Sequence, residues 1–208
     1  MGTVPNARRA LGEVAESMRG LYWGGVLRLE MLKSVEPDPY LRKISAIHRL
    51  LGIPSDYSER GLELHREPEV LVDVRCGLDG KKRKMTPFTR DRFTELALAA
   101  KKDGIEIAVK GAYRSAFDQA RLIRRHLRWG NSLPDVLTWA AAPGYSEHHT
   151  GCALDIEVAA KGGPFECTDV FSWLVLNAGK FNFSMTYPES NGKGIVYEPW
   201  HWYCYCPD

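Results

Sequence analysis

The sequence predicts an α+β fold with a largely antiparallel central sheet and flanking helices, preceded by a helical N-terminal extension. Three observations predict it. Apolar residues recur at helical spacing in several segments, short runs rich in β-branched residues lie between them, and the two kinds of segment follow one another without a strict βαβ alternation. The 208 residues suit one domain of ordinary size with a small extension. We place the extension at residues 1–60 and the main domain at residues 61–208.

The extension is predicted to form two helices. Apolar residues at helical spacing run through residues 7–51, and the Glu-Pro-Asp-Pro segment at 36–39 interrupts them, because proline lacks an amide hydrogen and clashes with the preceding turn. Gly52 and Pro54 end the second helix. The extension either packs on the main domain or forms a separate binding element.

The first half of the main domain is predicted as strand, turn, helix and strand. The β-branched run at residues 70–74 predicts a strand, and residues 77–84 predict a basic turn. Thr86 and Pro87 suit the N-cap and the first position of a helix. A second strand is predicted at residues 105–109. The apolar face of the intervening helix comprises Phe88, Phe93, Leu96 and Ala100.

The second half of the main domain is predicted to hold two more helices and three strands. An amphipathic helix covers residues 117–129 and places several arginines on its outward face. A further helix covers residues 169–178 and ends at Gly179. Residues 152–158 predict a mostly apolar strand, and two short strands are predicted at 181–183 and 197–205.

The composition excludes several classes of protein. The 28 basic and 26 acidic residues give a formal net charge of +2, which provides no overall attraction to nucleic acid or anionic membranes. No stretch approaches the roughly 20 apolar residues that a transmembrane helix needs. Residues 1–20 carry charges of both signs and no apolar signal region. We therefore expect a cytoplasmic protein as the chain is written, with action outside the cytoplasm open if a signal has been removed.

The cysteines do not form a regular framework. Their odd count and irregular spacing make a poor disulfide scaffold for a chain of this length, and no zinc ribbon is expected. The sequence predicts reduced, mostly buried thiols. They are Cys76, Cys152, Cys167, Cys204 and Cys206.

Two segments, 146–155 and 198–202, carry the residues suited to chemistry. Together they offer the imidazoles of His148 and His201 and the carboxylate of Asp155, and hydrolytic zinc sites use three such ligands plus water. In an otherwise apolar strand, alternation places Asp155 on the face opposite its Leu and Ile neighbours, and a lone buried carboxylate is costly unless paired or metal-bound. The residue types alone leave two interpretations open: a metal site, or a structural acid with structural histidines.

The pattern S-x-H-x-x-G-x-A-x-D followed by E-x-W-H resembles the VanY-type D-alanyl-D-alanine carboxypeptidases. They belong to a group of zinc peptidases that includes VanX-type dipeptidases, phage endolysins and the Hedgehog domain. The resemblance covers roughly residues 70–205, includes the segment 111–115 and Gln119, and leaves residues 1–60 outside it. The residues that carry the pattern are Ser146, His148, Gly151, Ala153, Asp155, Glu198, Trp200 and His201.

The resemblance implies a Hedgehog/D-Ala-D-Ala peptidase-like fold and one Zn²⁺ per chain. By it, His148, Asp155 and His201 hold the metal and Glu198 is the general base. Arg114 would bind an anionic part of the substrate or stabilise the oxyanion. Of the remaining matched residues, the implied roles are substrate hydrogen bonds for Gln119 and Ser146 and a wall of the cleft for Trp200.

Three neighbours of these residues are not expected to bind the metal. His149 is expected to point away from the metal, in a supporting or surface role. Cys152 lies on the strand face opposite Asp155, so we expect it to pack in the core. Tyr203 stands where many relatives carry a basic residue, a departure that touches no expected ligand.

The expected activity is zinc-dependent hydrolysis of the terminal peptide bond of peptidoglycan stem peptides or their precursors, that is, D-Ala-D-Ala carboxypeptidase activity. Alternatives of the same chemistry are an LD-carboxypeptidase, a D,D-dipeptidase and an endolysin-like endopeptidase. A non-enzymatic zinc-site binding module is a further alternative, and the presence of Glu198 speaks against it.

Overall fold

The computed structural model describes residues 38–159 and 163–206. The chain divides into two compact units, residues 1–42 and residues 43–208, and only residues 38–42 of the first are described. The helix predicted upstream of residue 36 therefore lies outside the described residues. The boundary that we placed between residues 60 and 61 stays a prediction.

The described part mixes helices with short strands, as the α+β prediction requires. The helices are α1 (Pro39–Leu51), α2 (Pro87–Lys102), α3 (Ala116–Arg128), α4 (Leu133–Val136) and α5 (Asp169–Asn177). The strands are β1 (Val72–Arg75), β2 (Lys82–Met85), β3 (Ala108–Gly111), β4 (Ala153–Glu157), β5 (Phe183–Met185) and β6 (His201–Cys204). Within the described ranges, no helix is long and apolar enough to cross a membrane.

The central sheet is antiparallel, which confirms the predicted fold class. Its four strands lie in the order β3-β4-β6-β5, and β1 and β2 form a separate antiparallel pair. The long-range pairings place β4 between β3 and β6, so residues from three distant parts of the chain meet at its centre. The candidate site is built at this point.

The prediction of a basic turn at residues 77–84 is wrong for its second half, because residues 82–85 form β2. The side chains of this strand alternate in exposure: Lys82 and Lys84 face solvent, Arg83 is half-buried, and Met85 is fully buried. The exposed lysines conceal the alternation in the sequence. The turn is confined to the residues between β1 and β2.

Several other boundaries shift for identifiable reasons. The strand predicted at 105–109 begins only at Ala108, since the amide of Ile105 still donates to Ala100 O in the end of α2. Thr86 caps α2 as predicted, accepting from the amide of Thr89. The strand predicted at 197–205 shortens to β6, because the amide of His201 donates to the carbonyl of Glu198 and closes a turn before it.

Two apolar cores hold the second unit together. In the first, α2 and α5 pack against one face of the sheet, and the alternation predicted for β4 is confirmed because Cys152, Leu154 and Ile156 all lie in this core. In the second, α3 and α4 pack against the residues that follow α1. The second core comprises Leu51, Ile53, Tyr57, Leu62, Ala120, Ile123, Val136, Leu137, Ala140, Ala141, Ala142, Tyr187 and Ile195.

Candidate metal centre

The centre of the site is a cross-strand pair on the sheet. Asp155 of β4 lies directly opposite His201 of β6, and directly opposed residues of an antiparallel pair project from the same face. As a result, Asp155 Oδ1 lies 3.0 Å from His201 Nδ1. On the other side of β4, Gly111 of β3 is the partner of Asp155, and its missing side chain leaves room for the carboxylate.

His148 reaches the same point from a 3-10 turn, Glu147–Thr150, that precedes β4. Gly151 ends this turn with a φ of 68°, a left-handed conformation that glycine adopts without strain. The Nδ1–H of His148 donates to Ala112 O at 2.7 Å, which leaves Nε2 as the free ring nitrogen. That nitrogen lies 3.2 Å from Asp155 Oδ2.

The three predicted metal ligands are therefore brought together. One donor atom from each of His148, Asp155 and His201 lies within 4.8 Å of the others, and both imidazoles are buried. Two imidazole nitrogens and one carboxylate oxygen are the donor set that catalytic zinc sites use while keeping a fourth position for water. The residues present fit a zinc ion.

Electrostatics give a second sign of a cation position. Burial lowers the pKa of His201, but its hydrogen bonds to Asp155 and Glu147 outweigh burial and raise the pKa to about 10. Burial disfavours the charged form of Asp155, yet the two imidazoles hold its pKa well below the usual range. Burial lowers the pKa of His148, so this ring is neutral. A protonated His201 thus supplies the positive charge that a metal ion would bring to the site.

Glu147 is a site residue that the sequence reasoning missed. Its Oε2 accepts from the Nε2–H of His201 at 3.0 Å and from the hydroxyl of Thr186 at 2.6 Å, in a buried position. Metal-bound histidines commonly donate their second ring N–H to a carboxylate, which fixes the tautomer and the ring orientation. That rule signals a carboxylate near His201, but nothing in the spacing indicates that it comes from residue 147.

Glu198 lies in the turn before β6, next to the three converging side chains. Its Oε2 is 4.0 Å from His201 Nδ1, and its side chain is 14% exposed. Burial raises its pKa to about 7, against the opposing effect of His201. A carboxyl with such a pKa can both accept and return a proton near neutral pH.

Arg114 enters the cleft from the segment before α3 and is half-buried. Its backbone carbonyl accepts from the Nδ1–H of His149 at 2.6 Å, while its Nε finds no hydrogen-bond partner within the part of the chain that the structure describes. Burial lowers its pKa, opposed by Asp155 and Glu198. The guanidinium is thus presented, desolvated, to a ligand in the cleft.

His149 has a supporting position, and the surface alternative considered for it is wrong. The side chain is fully buried, and its Nε2 accepts from the amide of Gly144 at 3.0 Å while Nδ1 holds Arg114. Burial lowers the pKa of His149 to about 4, which keeps the ring neutral. The two consecutive histidines therefore have different roles. His148 faces the candidate metal position, and His149 hydrogen-bonds to the backbone of Arg114 and Gly144.

The remaining predicted site residues line one cleft with the groups above. Gln119 is buried, with Nε2 donating to Ala141 O at 2.6 Å and Oε1 left without a partner among the described residues. Ser146 is buried in the wall and Trp200 lies at the rim, 38% exposed. The cavity has a volume of about 470 Å³. It is lined by Lys110, Arg114, Gln119, Leu122, Trp139, Ala140, Ala141, Ser146, His148, Asp155, Tyr187, Ile195, Val196, Glu198, Trp200 and His201.

Comparison with known proteins gives a family match over most of the chain. The family model described as "VanY: D-alanyl-D-alanine carboxypeptidase" matches residues 82–208. The Bacillus subtilis protein YodJ, named as a carboxypeptidase, is 27% identical over 199 residues, which cover 89% of this chain and 67% of that protein. A D-alanyl-D-alanine carboxypeptidase of Enterococcus faecalis is 30% identical over 129 residues, covering 57% of this chain and 46% of that protein. The chain thus spans less than half the length of this enterococcal relative.

Solved structures show the same fold. The LdcB LD-carboxypeptidase superposes with a TM-score of 0.60 at 28% identity, covering 68% of this chain and 71% of that one. A VanY D,D-pentapeptidase variant in complex with Zn(II) gives a TM-score of 0.55 at 24% identity, covering 69% of this chain and 84% of that one. VanYB in complex with D-Ala-D-Ala gives a TM-score of 0.54 at 24% identity, covering 74% of this chain and 81% of that one.

Proposed function

The chain belongs to the VanY family of D-alanyl-D-alanine carboxypeptidases, and from this we propose that it uses one zinc ion to remove the C-terminal D-alanine of peptidoglycan stem peptides. The observation that carries the proposal is the convergence of His148, Asp155 and His201 at the floor of a cleft. Glu198 and Arg114 line the same cleft and supply the two other functions that peptide hydrolysis requires, a base and an anion-binding group.

The proposed metal site uses the free nitrogen atoms found above. Nε2 of His148, Nδ1 of His201 and the carboxylate of Asp155 would hold the ion. A zinc ion bound there would polarise the scissile carbonyl and make a water molecule acidic at neutral pH. A VanY structure of the same fold contains Zn(II), which supports this choice of metal.

Glu198 is proposed to move the proton during hydrolysis. Its carboxylate takes a proton from the attacking water and returns it to the amino group of the leaving D-alanine. The side chain sits beside the converging ligands, and burial brings its pKa to about 7, close to the value that favours both transfers. The presence of this base in the cleft supports an enzyme rather than a zinc-site binding module.

Arg114 is proposed to bind the C-terminal carboxylate of the substrate. A guanidinium pairs with a carboxylate through two parallel N–H donors, and the Nε of Arg114 is buried with no partner among the described residues. Gln119 offers Oε1 to a substrate N–H, Ser146 offers its hydroxyl, and Trp200 flanks the entrance.

The bond cleaved distinguishes the proposal from its alternatives. The similarity to the LdcB LD-carboxypeptidase favours LD-carboxypeptidase activity as the second candidate. A D,D-dipeptidase would release D-alanine from free D-Ala-D-Ala, and an endopeptidase would cut cross-linked peptides. These activities share the chemistry of the site and differ in the substrate that the cleft admits.

Mass spectrometry of purified peptides tests the proposal. The zinc-loaded protein is incubated with a stem pentapeptide ending in D-Ala-D-Ala, a tetrapeptide ending in a single D-Ala, free D-Ala-D-Ala and a cross-linked dimer, with and without a chelator. We expect loss of one D-alanine from the pentapeptide, abolished by the chelator. Cleavage of the tetrapeptide alone would indicate LD-carboxypeptidase activity. If no peptide is cleaved, the proposal that the protein is a peptidase is refuted.

A variant of Glu198 tests in the same experiment whether this residue is the catalytic base. Glu198→Gln should abolish hydrolysis while zinc binding remains, and Glu106→Gln is a control that removes an exposed carboxylate elsewhere. Retained activity of Glu198→Gln would exclude it as the base.

A further inference from the structure

Three cysteines lie together on the face of the sheet opposite the candidate metal centre. The amide of Cys204 donates to the carbonyl of Cys152 at 2.9 Å, which continues the pairing of β4 with β6 by one residue. Both side chains are buried in the first apolar core, whereas Asp155 and His201 project from the other face of the sheet. Cys206 comes two positions after Cys204 and lies on the same face as the other two cysteines.

The thiols of Cys152 and Cys206 are in contact. Their Sγ atoms lie 3.6 Å apart, although the residues are 54 positions apart in the chain. In an antiparallel pair, the diagonal neighbour two positions along the opposite strand is within reach of a side chain, which explains the contact past Cys204. A disulfide needs an S–S distance of about 2.0 Å, so the sulfur atoms must approach by about 1.6 Å, a movement on the scale of a side-chain rotation.

Packing explains two of these thiols but not the third. Free cysteine behaves as a small apolar side chain that is often buried, which accounts for Cys152 and Cys204. Cys206 is exposed and adds little to the core, yet its sulfur lies against a buried one. The pair therefore combines an outer sulfur that a dissolved reagent can reach with an inner sulfur that can complete a bond.

The pair lies at the end of the two strands that carry two of the candidate metal ligands. Cys152 comes three residues before Asp155 of β4, and Cys206 comes five residues after His201 of β6. A bond between the two cysteines would close a loop that contains both ligands and Glu198. It would hold β4 and β6 together behind the site whether or not a metal is bound.

We propose that Cys152 and Cys206 form a disulfide under oxidising conditions and that this bond locks β4 to β6 behind the candidate metal centre. The oxidant is a disulfide reagent, such as oxidised glutathione. The thiolate of Cys206 attacks one sulfur of the reagent and expels a thiolate, which leaves a mixed disulfide. The thiolate of Cys152 then attacks the Cys206 sulfur and expels the second thiolate. The two cysteines lose two electrons and two protons, and the reagent takes them up as two thiols.

Peptide mapping tests whether the bond forms. Burial and the neighbouring Cys152 raise the pKa of Cys206, so its thiolate is scarce at neutral pH, and the protein is incubated with oxidised glutathione at mildly alkaline pH. The remaining thiols are alkylated, and the unreduced digest is analysed by mass spectrometry. The digest includes chymotrypsin, which cuts after Tyr205 and separates Cys204 from Cys206.

We expect a pair of peptides joined through Cys152 and Cys206, which dithiothreitol separates. Recovery of Cys152 only in its alkylated form, or a bond from Cys152 to Cys204, would overturn the proposal.

Thermal unfolding tests whether the bond locks the strands. The oxidised and reduced forms are compared by circular dichroism in the presence of a chelator, so that no metal contributes to the stability. A disulfide that closes a loop of this length restricts the unfolded chain, and we expect the oxidised form to have a Tm higher by about 5 to 15 °C.

Two serine variants make the comparison specific. Cys206→Ser should abolish the difference in Tm between the two forms, whereas Cys167→Ser, which replaces another exposed cysteine, should keep it. Equal Tm values for the oxidised and reduced forms, with the bond present in the peptide map, would show that it does not lock β4 to β6. A difference that persists in Cys206→Ser would assign the effect to other cysteines and would also overturn the proposal.

Discussion

Glu147 Oε2 lies 3.0 Å from Nε2 of His201, so a buried carboxylate holds the side of the imidazole ring that faces away from Asp155. The hydrogen bond keeps a proton on Nε2 and leaves Nδ1 as the nitrogen directed at the other two candidate ligands. Thr186 donates to the same carboxylate oxygen and fixes its position in turn. The orientation of His201 is thus set before any metal arrives.

We therefore expect Glu147→Gln to weaken zinc binding about 10- to 100-fold, the range typical of partners that orient a metal-bound histidine. Competition with a chromophoric chelator measures the zinc affinity, and circular dichroism checks the fold. Glu166→Gln, at an exposed position, is the control. Unchanged zinc affinity in Glu147→Gln would show that the carboxylate does not orient His201.

Gly111 is the residue whose missing side chain makes room for Asp155. A Cβ at position 111 would collide with the carboxylate of Asp155, its partner across β3 and β4. We expect Gly111→Ala to displace this carboxylate and reduce zinc affinity by tenfold or more, on the scale of disrupting a ligand's support. Gly179→Ala is the matched control, because an added Cβ there meets nothing within 4 Å. Equal zinc affinities of the two variants would contradict the steric argument.

Zinc binding should release a proton at neutral pH. In the metal-free site the pKa of His201 is raised to about 10, so the ring is protonated below that pH and must lose one proton to bind a metal. His148 is already neutral and contributes none. Zinc affinity therefore rises with pH below about 10, by close to tenfold per pH unit for the release of one proton.

Calorimetric titration of zinc in buffers with different ionisation enthalpies measures this release directly. We expect close to one proton per ion bound near pH 7. An affinity that does not change between pH 6 and pH 8, with no buffer-dependent heat, would show that His201 is neutral in the metal-free protein.

The sequence predicts those parts of the site that depend on local contacts. The residue types and the recurring pattern identify His148, Asp155 and His201 as candidates, and alternation along β4 predicts the face on which Asp155 lies. Their convergence depends on the register between β4 and β6, which joins residues 46 positions apart and has no local signal. Glu147 was missed for the same reason, because its partner is 54 positions away.

The fold shows the same division between local and distant information. The cap of α2 at Thr86 is a local hydrogen bond to Thr89 and was predicted correctly. Strand β2 was missed because two of its four residues are exposed lysines and its pairing with β1 has no local signal, although its last residue, Met85, is fully buried in the core. Strong local signals thus fixed where elements begin, while strand partners had to come from tertiary structure.

Glu67 connects the segment that carries Arg114 to the rest of the domain. Its Oε1 accepts from the amide of Ala116 at 3.0 Å and from Lys43 at 3.0 Å, and its Oε2 accepts from the hydroxyl of Tyr113 at 3.1 Å. These contacts tie down the residues on both sides of Arg114. Burial raises the pKa of Glu67, but the hydrogen bonds and Lys43 outweigh it and leave the pKa below the usual 4.5.

Because the pKa of Glu67 is lower in the folded protein than in the unfolded one, the stabilisation that it provides is fully present above about pH 4.5 and is lost as the pH falls through the folded-state value. We expect Glu67→Gln to reduce the free energy of unfolding by on the order of 1 kcal/mol near pH 7 and by less at an acidic pH below the folded-state pKa of Glu67, where the native carboxyl is protonated. Urea denaturation at both pH values measures the difference. Glu69→Gln, an exposed neighbour, should show no such pH-dependent loss. A Glu67→Gln deficit that is the same at both pH values would mean that the ionised carboxylate is not what holds this segment.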